Sequence, residues 1–385
     1  MGNLGSRLRR WIFRALRWCA ALVIAICLAG AVYQSLALRH DRTAFPPPGR
    51  MVDIGTHRLH LWCRGSGEPV VLFDAGAGIW SISWQPIQDE LARHTTACAF
   101  DRSGLGWSEA GPGALDGMSA ARELRQLMES ARLPRPFVYV GHSLGADFGQ
   151  VYFGAYPKDL AGLVLIDPGA PNDLLEDFHE DRAAALKIAR CGPKCAVAWL
   201  ATRLGVTRLA AKMVGKSLPP TLRAWYRFGL AQPAAAATIV GYLELLPKTA
   251  YQVLAVDNYR DLPLTVVYSE KTRRPEGAET ERDVEAWHAR TLDLMRQLAG
   301  RSTRGRGPVV VGGATHGSVL AAEHARTVAA EIERLVEAAR NGGRAGPRAS
   351  GGPRPNGVMM QAGETGGGFR PTHENGKRRE PAPGG

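Results

Sequence analysis

Apolar residues form one long run near the N-terminus and then many short runs. The long run, residues 18–38, is uncharged, and as a helix at ~1.5 Å per residue it would measure ~31 Å, about the thickness of a bilayer core. The short runs, such as residues 70–73 and 160–166, are apolar throughout, which is typical of strands buried on both faces of a sheet. Since helix-like stretches separate most of them, the pattern predicts an α/β fold behind a membrane-spanning segment.

Eight strands are predicted, at residues 50–54, 58–63, 70–73, 96–100, 137–140, 160–166, 264–268 and 308–311. The first two flank Gly55-Thr56 and predict a hairpin. Residues 119–131 predict a helix that Ser119 can cap. From residue 169 to 262 the alternation of strands and helices stops. Ala- and Leu-rich helical stretches replace it, at residues 182–190, 196–204, 222–230 and 234–246.

The strand at 137–140 runs directly into Gly141-His142-Ser143-Leu144-Gly145, and residues 146–152 then predict a helix. Strand, tight turn and helix form the context in which Gly-x-Ser-x-Gly indicates a nucleophile elbow. Ser143 at the apex must adopt a strained backbone, and the two glycines remove the side chains that would collide as strand and helix pack. The motif therefore predicts a serine hydroxyl held above the edge of the sheet.

Three further signals occur at fitting distances. They are Asp74-Ala75-Gly76-Ala77-Gly78 after the third strand, the Asp-x-x-Gly-x-Gly-x-Ser turn at residues 101–108, and Gly313-Ala314-Thr315-His316-Gly317 after the last strand. With these motifs the chain resembles the α/β-hydrolase fold superfamily over roughly residues 50–337, in particular a bacterial esterase-like branch with a membrane-anchoring N-terminus. The resemblance implies a mostly parallel eight-stranded sheet flanked by helices, with a helical cap inserted after the sixth strand.

The resemblance also implies a domain order. Residues 1–45 would hold a basic stub, the anchor (about 18–38) and a linker. Residues 46–168 and 263–340 would form the hydrolase core, residues 169–262 the cap, and residues 341–385 a disordered tail that is rich in Gly, Pro and Arg. Apolar cap helices predict a small, apolar acyl substrate, because a cap of this kind packs over the catalytic cleft.

A serine hydroxyl needs a base within hydrogen-bond reach, and the base needs a carboxylate to hold it. His316 is the expected base, since it follows Ser143 in the chain and lies after the last strand. By the resemblance, the backbone N–H groups of Ala77 and Leu144 form the oxyanion hole. In this fold Asp101 and Arg102 are expected to shape the loop beneath the site.

The sequence does not decide which carboxylate completes the triad. Superfamily members often place it after the seventh strand, where this chain reads Ser269-Glu270-Lys271 and has no aspartate at the usual place. Asp167, at the end of the sixth strand, occupies the other position that the fold uses. We therefore expect Asp167 to be the acid, with Glu270 as the alternative and Asp283 as a more distant one.

These residues predict acyl transfer to Ser143 followed by attack of water, as in an esterase or lipase. Haloalkane dehalogenases and epoxide hydrolases of this fold need an elbow aspartate, so those reactions are disfavoured. The alternatives are an acyltransferase or a cofactor-free haloperoxidase that uses the same triad, or a catalytically silent protein that binds a ligand or partner. We expect no cofactor and no metal, because the His and Cys residues lack zinc-like spacing.

The net charge of +12 belongs to the two ends of the chain. Residues 1–50 carry a net +7 and residues 338–385 a net +5, whereas residues 51–337 balance 32 basic against 32 acidic side chains. A neutral core argues against nucleic-acid binding and for an anionic membrane surface near the N-terminus. Arginines before the apolar run predict a cytoplasmic N-terminus and a periplasmic or extracellular catalytic domain. Secretion after cleavage near residues 29–31 or 35–37 is the alternative.

Two cysteine pairs complete the sequence predictions. Cys191 and Cys195 are expected to close a small disulfide loop in the cap, which an oxidising compartment allows. Cys63 and Cys98 lie on strands that neighbour each other in this fold. Since a bridge between adjacent strands is strained, we expect thiols there.

Overall fold

The computed structural model describes residues 2–169, 192–213, 220–271 and 280–344. Its centre is one eight-stranded sheet with the order β1-β2-β4-β3-β5-β6-β7-β8. The strands are β1 (Arg50–Asp53), β2 (Arg58–Arg64), β3 (Val71–Asp74), β4 (Ala97–Phe100), β5 (Phe137–His142), β6 (Leu160–Ile166), β7 (Leu264–Ser269) and β8 (Gly305–Val311). The β1–β2 and β2–β4 pairs are antiparallel and every other pair is parallel, so the predicted sheet is confirmed.

Eleven α-helices accompany the sheet in the described residues: α1 (Gly2–Ala44), α2 (Gln85–Leu91), α3 (Gly117–Ser130), α4 (Leu144–Ala155), α5 (Pro193–Arg203), α6 (Val206–Ala211), α7 (Pro220–Leu230), α8 (Ala235–Glu244), α9 (Leu246–Leu254), α10 (Glu281–Gly300) and α11 (Ala322–Arg344). Short 3₁₀ turns lie at Ser81–Trp84 and Pro157–Asp159. Helices α5 to α9 all lie between β6 and β7 in the chain, where the sequence predicts helices in place of the alternation.

A separate hydrophobic core covers each face of the sheet. On one face Leu124 of α3, Tyr152 of α4 and Met295 of α10 pack against the strands. On the other face Ile87 of α2 and Val328 of α11 do so. The central strands are buried along their whole length because both of their faces are covered, which explains their unbroken apolar sequence.

Two local predictions were wrong. Cys63 and Cys98 form a disulfide, because antiparallel pairing of β2 with β4 places them directly opposite each other, with Cα atoms 4.0 Å apart. The prediction considered only the strain of a bridge between adjacent strands, because the register between β2 and β4 is not known from the sequence. Helix α3 is capped by Asp116, whose side chain accepts from the Ser119 N–H at 3.0 Å, so Ser119 is the third residue of the helix rather than its cap.

Several predictions fall on residues outside the described ranges. Cys191, and with it the expected loop to Cys195, lies there, as do the helix predicted at 182–190 and residues 345–385 of the tail. Among the described residues, one helix is long and apolar enough to cross a membrane, residues 7–44 of α1.

Candidate active site

The turn between β5 and α4 has the geometry that the Gly-x-Ser-x-Gly pattern predicts. Ser143 has φ 53° and ψ −125°, a backbone conformation that non-glycine residues rarely adopt. A Cβ on Gly141 would lie 2.3 Å from the Gly145 carbonyl oxygen, and one on Gly145 would lie 2.4 Å from the Asp74 carbonyl oxygen. Both positions therefore require glycine, and the close packing that they permit holds the Ser143 backbone in its strained state.

His316 lies between Ser143 and Asp167. Its Nε2 is 3.0 Å from Ser143 Oγ, and its Nδ1 is 3.3 Å from Asp167 Oδ2. Ser143 follows β5, Asp167 follows β6 and His316 follows β8, so the three side chains meet where the carboxyl ends of parallel strands lie together.

Asp167 is buried and has φ 45°. Its Oδ1 accepts from the backbone N–H of Ser269 at 2.7 Å, and its Oδ2 accepts from the Ser269 hydroxyl. Burial disfavours the charged form, but the hydrogen bonds from His316 and Ser269 outweigh it and hold the pKa of Asp167 below its usual value. Asp167 is therefore ionised at neutral pH and orients the imidazole.

The other candidate carboxylates have different partners. Glu270 Oε2 accepts from the Gly313 N–H at 2.7 Å, which ties the end of β7 to the loop after β8. Asp283 caps helix α10 in a reciprocal pair with Thr280. The described contacts place neither carboxylate against His316.

Residues 74–77 form a loop beside the Ser143 hydroxyl, and Ala77 and Leu144 both line the same pocket as Ser143. Their N–H groups donate to no acceptor within the described residues. The guanidinium of buried Arg102 supports the loop from below, where it donates to the Asp74 carboxylate and to the carbonyls of Ala75 and Gly76. Arg102 thus shapes the loop, as the sequence predicts.

The Asp101 side chain organises the turn beneath this loop. One carboxylate oxygen accepts from the Ser81 N–H at 2.8 Å, and the other accepts from the Trp107 N–H at 2.9 Å. The second oxygen also lies 3.0 Å from His60 Nδ1. These contacts account for the Asp-x-x-Gly-x-Gly-x-Ser pattern as loop architecture.

A cavity of about 300 Å³ opens onto Ser143 and His316. Most of its remaining wall is apolar and comes from helices α8 to α10, with Tyr242, Leu243, Leu246, Trp287 and Met295. A larger cleft of about 870 Å³ lies elsewhere, between the end of α1, the loop after β4 and helices α5, α7 and α8, and it does not reach Ser143. Ser143 at the elbow therefore faces the smaller cavity.

Three residues of the site are not singled out by the sequence. Ser269 holds Asp167, as described above. His142 Nε2 lies 3.0 Å from the carbonyl oxygen of His316. Asp147, one turn after the nucleophile, is buried in the wall of the cavity and accepts from the Gly169 N–H at 3.0 Å. Of these three residues, only Asp147 could have been noticed in the sequence, as an acidic residue within the apolar helix that follows the elbow.

His142, Asp167 and His316 form the one cluster of potential metal ligands in the described part of the chain, with ligand atoms within 4.8 Å of one another. Both ring nitrogens of His316 already face Ser143 and Asp167, and His142 Nε2 faces a carbonyl. The donor atoms face one another rather than a shared central position. This arrangement fits a proton-transfer site better than a metal centre.

Comparison with known proteins agrees with this architecture. A family model described as "alpha/beta hydrolase fold" matches residues 68–189. An uncharacterized protein of Bacillus subtilis, YbdG, is 24% identical over 155 residues, 40% of this chain and 47% of its own length. The chain thus spans about half the length of that curated relative.

Solved structures match over more of the chain. An esterase of Thermogutta terrifontis superposes with a TM-score of 0.54 at 19% identity, over 76% of this chain and 99% of that one. A proposed epoxide hydrolase of Pseudomonas aeruginosa, solved as a Q244E mutant, gives the same TM-score and identity, over 76% and 96%. At these identities the likeness shows the fold alone. The protein is therefore an α/β-hydrolase-fold protein.

Proposed function

We propose that the protein is a serine hydrolase that cleaves a carboxylic ester or a related acyl substrate through an acyl-enzyme on Ser143. One chain of contacts supports this function: Ser143 Oγ to His316 Nε2 at 3.0 Å, and His316 Nδ1 to Asp167 Oδ2 at 3.3 Å. A serine hydroxyl is a weak nucleophile at its own pKa, and this arrangement supplies both the base and the carboxylate that fixes its tautomer.

In the first half-reaction His316 Nε2 takes the Ser143 proton while Oγ attacks the acyl carbonyl carbon. The carbonyl oxygen becomes an oxyanion that accepts hydrogen bonds from the N–H groups of Ala77 and Leu144. Asp167 stabilises the imidazolium, which then gives its proton to the leaving oxygen as the ester bond breaks. In the second half, His316 takes a proton from water, the hydroxide oxygen attacks the acyl-enzyme, and Ser143 leaves with the proton.

Asp167 is the proposed acid because it is buried against His316 Nδ1 and is itself held by Ser269. Glu270 bonds to the Gly313 N–H and supports the loop that carries His316. The elbow serine also separates this proposal from epoxide hydrolysis, which in this fold uses an elbow aspartate. An acyltransferase would share every residue named here and would differ in the acceptor of the acyl group.

We also propose that residues 169–262 act as the cap and that α1 is a retained anchor with a cytoplasmic N-terminus. Tyr242 and Leu243 of α8 reach the catalytic cavity, which supports an apolar acyl substrate. Gln34 donates to the Ala231 carbonyl at 2.8 Å, and Asp41 accepts from Arg208 at 2.6 Å. Cleavage near residues 35–37 would remove Gln34 from this interface, and cleavage near residues 29–31 would remove Gly30, which packs against the Leu204 carbonyl, so these contacts favour retention over secretion.

Labelling with a fluorophosphonate probe tests the mechanism on the full chain in detergent. Wild-type protein should label, and Ser143→Ala and His316→Ala should not. Asp167→Asn should label at least about a hundredfold more slowly, because the imidazole loses its orienting carboxylate.

Glu270→Gln is the matched control, since the amide oxygen can still accept from Gly313, and it should label at nearly the wild-type rate. Normal labelling of Asp167→Asn together with loss in Glu270→Gln would reassign the acid. A folded wild type that does not label would contradict the enzyme proposal and favour the ligand-binding alternative.

A further inference from the structure

The C-terminal third of helix α1 is packed against helices α5 to α7. A Cβ on Gly30 would lie 2.5 Å from the Leu204 carbonyl oxygen, and one on Gly205 would lie 3.2 Å from the Tyr33 ring. Gln34, four residues on, is buried against the Ala231 carbonyl. The helix therefore meets this part of the protein well before its apolar run ends at residue 38.

If α1 spans a bilayer, this contact determines how deep in the membrane the turn between α5 and α6 lies. Gly30 lies about 12 Å before the end of the apolar run, at ~1.5 Å per residue. If the bilayer ended before Gly30, residues 18–29 would leave a span of only ~18 Å, against the ~30 Å of a hydrocarbon core. Shifting the span toward the N-terminus would bury the charged side chains of Arg14 and Arg17 in the hydrocarbon core, which is unfavourable. The turn between α5 and α6 must then lie below the membrane surface.

Helices α5 and α6 carry the surface that this position requires. Six large apolar side chains on and beside them are 45% to 76% exposed: Val197, Trp199, Leu200, Val206, Leu209 and Met213. We call these six residues the cap face. On α1 itself, Leu28, Val32 and Leu36 are exposed to a similar degree, 59% to 62%. Because Gly30 packs against Leu204, the helices that carry the cap face lie directly beside the anchor.

The basic side chain of Arg208 is paired at this junction, as a low-dielectric setting demands of a charged group. Arg208 Nε donates to Gln34 Oε1 at 2.9 Å, and its terminal nitrogen donates to Asp41 at 2.6 Å. At the edge of the cap face, Arg203 lies 4.7 Å from the centre of the Trp199 ring, and Arg203 and Lys212 are both exposed. Tryptophan and basic side chains are the residues that typically lie at the level of lipid headgroups.

We propose that the cap face is inserted into the leaflet on the catalytic side of the membrane, so that the cap of the enzyme is in direct contact with lipid. This inference rests on the retained anchor proposed above. A lipid bilayer is the partner that fits this face, because the face lies beside the anchor helix and is bordered by the basic side chains of Arg203 and Lys212. A substrate dissolved in the bilayer would then lie beside the cap that covers the catalytic cavity.

Photo-crosslinking in vesicles of phosphatidylcholine and phosphatidylglycerol tests the insertion on the full chain. Benzoylphenylalanine replaces Leu200 or Leu209 in the cap face. Leu28, exposed on the anchor, is the positive control, and Val310, 45% exposed on β8, is the matched control away from the membrane. Because these side chains are exposed, the substitutions leave the packed core intact.

Lipid adducts, detected by mass spectrometry, should form at Leu200 and Leu209 at yields comparable with Leu28 and about tenfold above Val310. Adducts at Leu28 but not at Leu200 and Leu209 would overturn the insertion and leave the anchor in place. Absence of adducts at all four positions would overturn both the insertion of the cap face and the membrane anchor. Crosslinks from position 209 to a second copy of the chain, with no lipid adducts, would show that self-association and not the bilayer covers the cap face.

Discussion

At the scale of single residues, Asp147 is a buried acid in the wall of the cavity that opens onto Ser143 and His316. Burial raises its pKa to about 7, and the hydrogen bond from the Gly169 N–H only partly offsets this. The unfolded chain releases this proton near the usual pKa of 3.8, whereas the folded protein keeps it until about pH 7. The folded state therefore binds more protons between these values, and stability falls as the pH rises through them.

The variant Asp147→Asn should remove this dependence, since its amide oxygen can still accept from Gly169. We expect the variant to gain about 3 kcal/mol relative to wild type between pH 5 and pH 8, measured by denaturant unfolding at both values. The exposed Asp257→Asn is the control and should show no gain. Parallel pH curves for wild type and Asp147→Asn would show that Asp147 is charged throughout.

His142 supports His316, the proposed base, and has no described contact with the Ser143 hydroxyl. Its Nε2 donates to the His316 carbonyl at 3.0 Å, and the two rings lie 4.7 Å apart. Burial and the neighbouring His316 lower the pKa of His142 to about 3, so it is neutral and keeps this donor at working pH. We therefore regard His142 as a positioning residue for the loop after β8.

Replacing the imidazole in His142→Ala should lower kcat roughly tenfold to a hundredfold, because a small displacement of His316 lengthens its contact with Ser143. KM should change little, since His142 does not line the cavity among the described residues. His142→Gln should recover part of kcat through its amide donor. Equal losses in both variants, or a change confined to KM, would contradict a positioning role.

At the scale of elements, the loop after β3 depends on Arg102, which comes from the turn after β4. Its guanidinium reaches one carboxylate and two carbonyls from two nitrogens held in a planar fork, a spacing that the single ammonium nitrogen of lysine does not reproduce. Arg102→Lys should keep a charge near Asp74 but release the loop that carries Ala77. Loss of one oxyanion donor typically raises the barrier by about 3–4 kcal/mol, so kcat should fall about a hundredfold or more.

Esterase kinetics and the melting temperature of Arg102→Lys, measured together, check this prediction. Arg93→Lys, in the exposed turn after α2, is the matched control, since Arg93 pairs with Glu90 near the surface. A melting temperature that falls while kcat stays at the wild-type value would show that Arg102 supports only the stability of the core.

The elements also show what a sequence can specify. Strands β3 to β7 were predictable because burial on both faces demands unbroken apolar runs, and the elbow because two glycines and a serine must occupy fixed places in one tight turn. The Cys63–Cys98 disulfide depends on the register between β2 and β4, which the residue pattern does not encode. The same holds for Ser269, whose contact with Asp167 exists only once β6 and β7 pair.

For the molecule as a whole, the disulfide and the anchor report on the same property, the side of the membrane on which the hydrolase core lies. Disulfides persist in oxidising compartments, and arginines before an apolar span favour a cytoplasmic N-terminus. Both observations support the proposed location of the core outside the reducing cytosol. In this setting the Cys63–Cys98 bridge, which joins residues 35 apart, should stabilise the fold by about 3–4 kcal/mol.

Alkylation of thiols in intact cells, before and after reduction, tests this orientation. Peptide mass spectrometry should find Cys63 and Cys98 blocked before reduction, while Cys19 and Cys27 on α1, which are free thiols, serve as internal controls. Purified protein should then melt at a lower temperature after reduction, because the unfolded chain has more conformational entropy without the disulfide. Free Cys63 and Cys98 in freshly lysed cells would place the hydrolase core on the cytoplasmic side and reverse the proposed topology.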